Sequence, residues 1–444
     1  MMKIVIVGFG TGGYSAALAA TKYNPKARVL ILEKKSYELI SVCGMPYVLE
    51  DLVEIQKLKH EIVASRVEKL LNHEVSRIDV EKKKVFARNL AENKDVEVSY
   101  DKLILATGTK PFIPPIKGLK RFLSKGVYLL ETLEDLKRLL ELASSSKKCV
   151  VIGASAIGLE TSLALKRRGL SVTLIEALYQ VFQRGFDYDM ARLIENYISE
   201  EGVFLRTNTQ VEEVFGEERA RGVAVEGERI ETDFILLSCG VKPNIELAST
   251  GIKIGRLGIR VNERMETSAK DVYAIGDCAE VFSLIDKKPI LMQLAISAYR
   301  QGVIAGTNAT GGNLKYSGAL NTFVSLVGNL EIAGTGFNSL VAEERGYKIL
   351  TSKARGFTKT DYFPKSERLT LKLVVDEKTK RILGGQVVGG RNSSWRVNVL
   401  ACAIKAGMTL NDLSNLELCY NPPVSETYDV LLKAADLGVR RGRR

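Results

Sequence analysis

The chain opens with a short run of β-branched and apolar residues, KIVIV (3–7), followed by the glycine turn GFGTGG (8–13), the alanine-rich stretch YSAALAATKYN (14–24) and a second apolar run, RVLILEK (28–34). Continuous apolar runs on either side of an alanine-rich segment predict two buried parallel strands joined by a crossover helix. The same order returns as KCVVIG (148–153), ASAIG (154–158), LETSLALKRRG (159–169) and SVTLIEA (171–177). Two such βαβ units predict two separate nucleotide-binding domains, because each sheet offers one crevice at its switch point. YDKLILATGTKP (100–111) and TDFILLSCGVKPN (232–244) share an acid, an apolar strand, a glycine and Lys-Pro, and read as matching exits from these domains. AKDVYAIGDCAEV (269–281) is a strand ending in Gly-Asp, followed by a helix within 293–312 whose small residues suit close packing. From about Leu320 the pattern changes to alternating strands, RLTLKLVVD and RILGGQVVGG, and helices such as NVLACAIKAG, which predict an α+β domain of another kind.

A length of 444 residues agrees with about three domains at roughly 150 residues each. The 45% apolar and 26% charged content is ordinary for globular chains and excludes wholesale disorder. Six cysteines are too few for a disulfide scaffold, and no apolar run of bilayer length occurs, so a cytoplasmic protein with reduced thiols is expected. MMKIVIVGFG runs directly into the first strand, which leads to the expectation that no cleavable leader precedes it. The charge of +12 suits a solvated basic surface or an anionic small substrate, and no platform of basic and aromatic residues supports nucleic-acid binding. Only His60 and His73 are available for histidine chemistry. His60, in QKLKHEI, reads as part of an exposed helix face and His73 as the residue before a short strand. A Ser-His-Asp triad or a zinc site is therefore not expected, and no metal site is assigned.

Gly8, Gly10 and Gly13 form a complete G-x-G-x-x-G between strand and helix, with Thr11 and Gly12 inside the loop. Gly8 allows the tight turn, Gly10 a close approach of backbone to a pyrophosphate, and Gly13 close packing of helix on strand. Glu33 ends the next strand, where an acid can accept ribose hydroxyls, and Lys34 follows it. In the second copy Gly153 and Gly158 keep their places, Ser155 is a small substitute for the middle glycine, Ile157 precedes Gly158, and Glu176 is the acid. An acid there bonds a free ribose and repels a 2′-phosphate, which favours NADH over NADPH, although Arg167 and Arg168 lie nearby. Asp277 alone would read as a helix cap.

Taken together, GFGTGG with Glu33, LATGTKP, GASAIG with Glu176, CGVKPN and AIGDCAEV resemble, over essentially the whole chain, the FAD- and NAD(P)-dependent pyridine nucleotide-disulfide oxidoreductases. The resemblance implies an α/β, glutathione reductase-like architecture of two Rossmann-like dinucleotide-binding domains plus an α+β carboxy-terminal dimerisation domain. It divides the chain into an FAD domain in two parts (1–112 and 245–320), an NAD(P)H domain (113–244) and an interface domain (321–444). It also implies that Asp277 holds the ribityl chain, that Ala106, Thr107, Gly108 and Val75 touch FAD, that Ala295 lies on its side, and that Gly240 lies on the NADH side.

Neither CxxxxC nor CxxC occurs, and Cys43, in ELISVCGMPYV, stands alone. Its setting resembles the single-cysteine branch: coenzyme A-disulfide reductases, NADH oxidases and peroxidases, and NAD(P)H sulfur or polysulfide reductases. Gly44 and Pro46 suit a helix start, which places the thiol at the positive end of a helix dipole. Cys149, Cys239, Cys278 and Cys402 read as inert core residues, and Cys419 as an interface residue. Thr11 stands where the related peroxidases have a histidine, which argues against peroxidase chemistry. By the same resemblance Tyr362 before Pro364 and Tyr420 before Pro422 and Pro423 are the assisting tyrosines, the latter donated across a homodimer. Val42 departs from the polar residue that some coenzyme A-disulfide reductases carry there. The end at Arg444 leads to the expectation that no rhodanese-like domain follows.

The reading is a homodimeric NAD(P)H-dependent flavoprotein that reduces coenzyme A disulfide, a persulfide or a polysulfide through Cys43, with oxygen as a side acceptor. Lys22, Lys26 and Arg28 are candidate phosphate contacts, or simply a solvated helix end. Two alternatives stand beside it: a hydrogen peroxide-forming NADH oxidase, and a membrane-associated NADH or sulfide:quinone reductase docking through the tail RRGRR. The short segment VLLKAADLGVRR gives little support to membrane association.

Overall fold

The computed structural model describes residues 1–61, 66–248 and 251–442. Its α-helices are α1 Thr11–Tyr23, α2 Met45–Leu49, α3 Leu133–Ser145, α4 Ala156–Arg167, α5 Tyr188–Glu200, α6 Ala295–Ala309, α7 Ser339–Glu344, α8 Trp395–Ala406, α9 Leu410–Ser414 and α10 Val430–Arg441. The chain is α/β and divides into two compact units. The first unit comprises residues 1–41, 55–111 and 241–319, and the second residues 42–54, 112–240 and 320–444.

In the first unit the central sheet is wholly parallel. Its order is Val272–Ala274, Lys102–Leu105, Lys3–Val7, Arg28–Leu32 and Val67–Leu70. Both faces of Lys3–Val7 are covered, which is why its sequence is continuously apolar rather than alternating. Helix α1 packs on α6 at close range. A Cβ on Gly302 would lie 2.0 Å from Ser15 Oγ and 2.4 Å from Gly12 O, so any larger residue there would push the helices apart. The two exits, Thr109–Pro111 and Val241–Pro243, pair antiparallel with Pro111 opposite Val241, so their likeness in sequence reflects a shared two-stranded ribbon.

The second unit holds a second parallel sheet in the order Phe204–Arg206, Ser171–Ile175, Lys148–Ile152, Phe234–Leu237 and Val127–Tyr128. It also holds an antiparallel sheet in the order Phe323–Val327, Leu330–Gly336, Ile382–Gly389, Arg368–Asp376 and Ile349–Phe357. A polar clasp joins these parts. Asp187, just before α5, accepts from Ser339 N (2.7 Å) and Ser339 Oγ (2.6 Å) and pairs with Lys372 Nζ (2.8 Å). Lys372 and Lys353 also hold Asp189. Arg396, with none of its surface exposed, forks onto Asp429, which also accepts from Leu431 N at the start of α10. A buried charge pair of this kind is tolerated because both partners are fully hydrogen-bonded, and removing one costs about 3–5 kcal/mol.

Two local expectations change. His60 is not on a helix; it follows a short 3₁₀ turn, and its Nε2 meets Ser41 Oγ at 2.7 Å. Cys402 is exposed, because the buried face of α8 runs through Val397, Leu400, Ala403 and Ile404, and Cys402 falls on the other side. The tail RRGRR begins as helix: α10 continues to Arg441, whose guanidinium donates to Thr351 O (3.0 Å), and Arg443 and Arg444 lie outside the described residues. The apolar side of α10 (Val430, Leu431, Ala434, Ala435, Gly438) is buried within its own unit. No helix among the described residues is long and apolar enough to cross a membrane.

Candidate active site

The two glycine loops are built on one hydrogen-bond plan. Gly8 N donates to Leu32 O (2.9 Å), and Gly153 N to Ile175 O (2.8 Å). Glu33 Oε2 accepts from Phe9 N (2.7 Å) and its Oε1 from Lys35 N (3.0 Å). Glu176 Oε2 accepts from Ala154 N (2.7 Å) and its Oε1 from Leu178 N (2.9 Å). Each acid therefore first ties the glycine loop to the end of the neighbouring strand, and its remaining lone pairs can still accept ribose hydroxyls. Gly8 and Gly153 have φ of +101° and +99°, and a Cβ would fall 2.2 Å from Ala106 O and 2.3 Å from Ser238 O respectively. A Cβ at Gly13 or Gly158 would fall within about 2 Å of the first glycine's carbonyl, so strand and helix touch there as the motif predicts. Gly10, by contrast, has nothing within 4 Å of a Cβ position.

Around the first loop lie the other residues expected for FAD. Thr107 Oγ1 donates to Asn244 O (2.7 Å), and Asn244 N donates to Gly108 O (2.9 Å), which ties the first exit to the second. Gly12 and Gly13 are buried, Thr11, Ala106 and Val75 are half-buried, and Lys34 is exposed. Val75 packs against the core of this unit. Asp277 follows the parallel strand Val272–Ala274. Burial pushes its carboxyl up to about 6, and among the described residues no cation or donor relieves it. Gln301 of α6 shapes this turn by accepting from Gly276 N (2.7 Å). Neither α1 nor α6, which begins at Ala295, has a side-chain cap, so both N-termini keep N–H groups for an anion. The open space at Gly10, the half-buried acid that no cation among the described residues relieves and the uncapped helices fit a bound FAD.

Around the second loop, Ser155 and Ile157 are exposed, Ser155 makes no cap, and Gly240 has nothing within 4 Å of a Cβ position. The arginines that complicated the cofactor choice are engaged elsewhere. Arg167 pairs with Glu50, while Arg168 donates to Leu49 O and to Val48 O (3.4 Å), so they cap the carboxyl end of α2. Tyr179 and Tyr188, both about half exposed, form a ring pair 5.9 Å apart just beyond Glu176. Such a pair suits a flat adenine ring. Sequence reading missed it, although two tyrosines closely following the acid were the available signal.

Cys43 is exposed, in a 3₁₀ turn (Val42–Gly44) that runs into α2, where Pro46 occupies the first turn as expected. Helix α2 is only five residues long, so the dipole it offers the thiol is small. One turn further, Tyr47 OH donates to Glu160 Oε1 of α4 (3.4 Å), and Ser325 Oγ donates to the same oxygen (2.6 Å). Burial foremost pushes Glu160 up to about 7, against the pull of these two donors. Burial, with Glu160 next, lifts the Tyr47 phenol well above its ordinary value. Sequence reading passed over this cluster; the signal was a single acid in the otherwise uncharged GLETSLAL.

Tyr362 and Tyr420, both exposed, come together. The hydroxyls of Thr427, Thr360 and then Tyr362 hold the Tyr420 phenol below its ordinary value. Cys419 is exposed beside Tyr420, and its carbonyl accepts from Ser425 Oγ (3.0 Å). No disulfide links any of the six cysteines. Cys149 and Cys278 are buried, and burial raises both thiols; it pushes the half-buried Cys239 up to about 12. Lys22, Lys26 and Arg28 are all exposed. No cluster of metal-ligating residues occurs among the described residues.

Residues 2–302 match the family model described as pyridine nucleotide-disulphide oxidoreductase, and residues 323–431 match the dimerisation domain of the same family. The chain is 35% identical to an NADH oxidase of Methanocaldococcus jannaschii, with 99% of each chain covered. It is 33% identical to a CoA-dependent NAD(P)H sulfur oxidoreductase of Pyrococcus furiosus, with 98% of each covered. Among solved structures it resembles an NAD-dependent persulfide reductase from A. fulgidus, with a TM-score of 0.95 and 32% identity over 99% of this chain and 83% of that one.

Proposed function

The chain belongs to the pyridine nucleotide-disulphide oxidoreductase family, and from that premise we propose that it is an NAD(P)H-dependent flavoprotein reductase of coenzyme A disulfide, a persulfide or a polysulfide, working through Cys43. The observation that carries this reading is the exposed thiol of Cys43 at the head of a short helix, with no second cysteine in CxxxxC or CxxC spacing. The relatives named sulfur oxidoreductase and persulfide reductase support it.

FAD is assigned to Gly8, Gly10, Thr11, Gly12, Gly13, Glu33, Lys34, Val75, Ala106, Thr107, Gly108, Asp277 and Ala295. NADH is assigned to Gly153, Ser155, Ile157, Gly158, Glu176 and Gly240, with NADPH disfavoured by the carboxylate of Glu176. The family's FAD passes two electrons from a nicotinamide to sulfur when bound. The Cys43 thiolate attacks one sulfur of the substrate and expels the other as a thiolate; two electrons then cleave the new S–S bond and return Cys43 to the thiolate. The Tyr420 phenol, backed by Tyr362 and Thr427, donates a hydrogen bond to the departing thiolate. We assign residues 1–112 and 245–320 to the FAD domain, 113–244 to the NADH domain and 321–444 to the interface domain of a homodimer in the cytoplasm.

The test is Cys43→Ser. Flavin reduction by NADH in a single turnover should persist while turnover of coenzyme A disulfide and polysulfide falls by at least about 100-fold. Unchanged disulfide turnover would overturn the thiol mechanism. A second reading, a hydrogen peroxide-forming NADH oxidase, is favoured by the 35% identical relative of that name. It predicts a higher kcat/KM with oxygen than with any disulfide, insensitive to Cys43→Ser.

A further inference from the structure

We propose that Glu160 is a positioning residue for Cys43, holding the helical turn that begins at the cysteine through Tyr47 and changing the reactivity of the thiol as it gains or loses its proton. The inference deepens the thiol reading above and rests on it only for its meaning in catalysis.

The geometry is a brace of three elements within the second unit. Cys43 and Tyr47 are one turn apart on the continuous helical segment 42–49. The Tyr47 hydroxyl reaches Glu160 Oε1 at 3.4 Å, and Ser325 of the antiparallel sheet fixes that same oxygen at 2.6 Å. Glu160 thus sits on the helix that carries the second glycine loop, while its carboxyl is addressed from the cysteine turn on one side and from a sheet strand on the other. The far end of α2 is fastened to the same helix by Arg167 on Glu50 and Arg168 on the carbonyls of Val48 and Leu49. With that end already fixed, the Tyr47 contact ties the same segment one turn from the thiol.

The charges facing the carboxyl are few. Helix α2 and its cap contribute Tyr47 and Glu50, and the strand Phe323–Val327 contributes Ser325, a neutral donor; Arg167 of α4 is spent on Glu50 and Glu201. Glu50 works in the same direction as burial and favours the neutral acid. Among the described residues no cation holds Glu160 as an anion, and it can exchange a proton in the working range of most enzymes. The Tyr47 phenol feels both Glu160 and, more weakly, Cys43, so it lies electrostatically between the carboxyl and the thiol. When Glu160 is anionic, its charge opposes the Cys43 thiolate through the intervening phenol. When it is neutral, that opposition vanishes.

Glutamine mimics the neutral acid in size and hydrogen bonding, which makes Glu160→Gln the deciding variant. The reduced holoenzyme is alkylated with iodoacetamide from pH 5.5 to 9, and modification of the Cys43, Cys402 and Cys419 peptides is followed by mass. Cys402 and Cys419 are exposed and outside the brace, so they report any general loosening of the fold. Wild type and Glu160→Gln should alkylate Cys43 equally at pH 6, and at pH 8 the variant should be faster by about 3- to 10-fold. Ser325→Ala should move the pH of divergence upward, because the lost donor favoured the anion, and Tyr47→Phe should flatten the difference between wild type and Glu160→Gln. Superimposable Cys43 profiles at all pH values would overturn the proposal, as would an equal acceleration of all three cysteines. Should Glu160→Gln fail to fold, Ser325→Ala carries the test against wild type: losing the donor keeps Glu160 neutral to higher pH, so Cys43 should alkylate faster than wild type near neutral pH, and a superimposable profile would overturn the proposal. Because the readout is alkylation and not turnover, it is independent of whether Cys43→Ser abolishes disulfide reduction.

Discussion

The two glycine loops share their hydrogen bonds almost atom for atom, yet their surroundings differ. The first is sealed by helix on helix: α1 against α6 through Gly302, with Gly12 and Gly13 buried and an unrelieved acid, Asp277, beside them. The second is open, with Ser155 and Ile157 exposed, Gly240 facing free space and the Tyr179–Tyr188 pair half in solvent. One backbone device thus serves two purposes: a closed setting suits a group that stays, and an open one suits a group that must come and go each turnover.

The largest effect that would break this comparison is Gly8→Val. The left-handed φ and the 2.2 Å approach to Ala106 O predict a loss of about 4 kcal/mol or more and little flavin in the purified protein, read from flavin absorbance and thermal denaturation. Gly153→Ala meets a carbonyl at 2.3 Å, but should retain flavin while losing its reduction by NADH, seen by stopped-flow bleaching. Next in size, Glu176→Gln removes the charge but keeps one acceptor. NADH KM should rise about tenfold, worth about 1.4 kcal/mol, while NADPH is penalised less, so the ratio of the two kcat/KM values narrows.

Asp277 gives the pH-dependent contrast. Its folded-state carboxyl is raised to about 6 by burial, so its contribution favours the fold at low pH and is lost as pH rises through about 6. Flavin-stripped Asp277→Asn should therefore match wild type in unfolding free energy below about pH 4 and exceed it above about pH 6, by at most about 3 kcal/mol as read by denaturant titration, while binding FAD more weakly. The smallest effect is at the aromatic pair: Tyr188→Ala should raise NADH KM severalfold, about 1 kcal/mol, with kcat unchanged.

Much of this was legible in the chain because it is local. A buried parallel strand is continuously apolar, and a glycine loop needs glycines at fixed spacing, so both βαβ units, their acids and the exit strands could be read directly. What was not legible depends on long-range packing. Nothing in ELISVCGMPYV says that residues 42–54 join the second unit while their neighbours on both sides join the first. Arg167 and Arg168 lie beside a nucleotide motif in sequence but are spent on the carbonyl end of α2. Tyr47, Glu160 and Ser325 are far apart along the chain and become one cluster only when α2, α4 and a sheet strand converge. Cys402 sits in an apolar string, and only the helical period of its neighbours turns it outward.

The ribbon of Thr109–Pro111 on Val241–Pro243 has a consequence for how such a chain can be rearranged. Because the segment 112–240 departs and returns through adjacent strands held by backbone hydrogen bonds, its removal leaves ends that a tight turn can join. The loop-closure entropy of a long insertion is already met at its base. A chain lacking 112–240, closed by Asn-Gly between Pro111 and Val241, keeps all five strands of that sheet in order. The segment is a cassette, and its borders are the two Lys-Pro pairs.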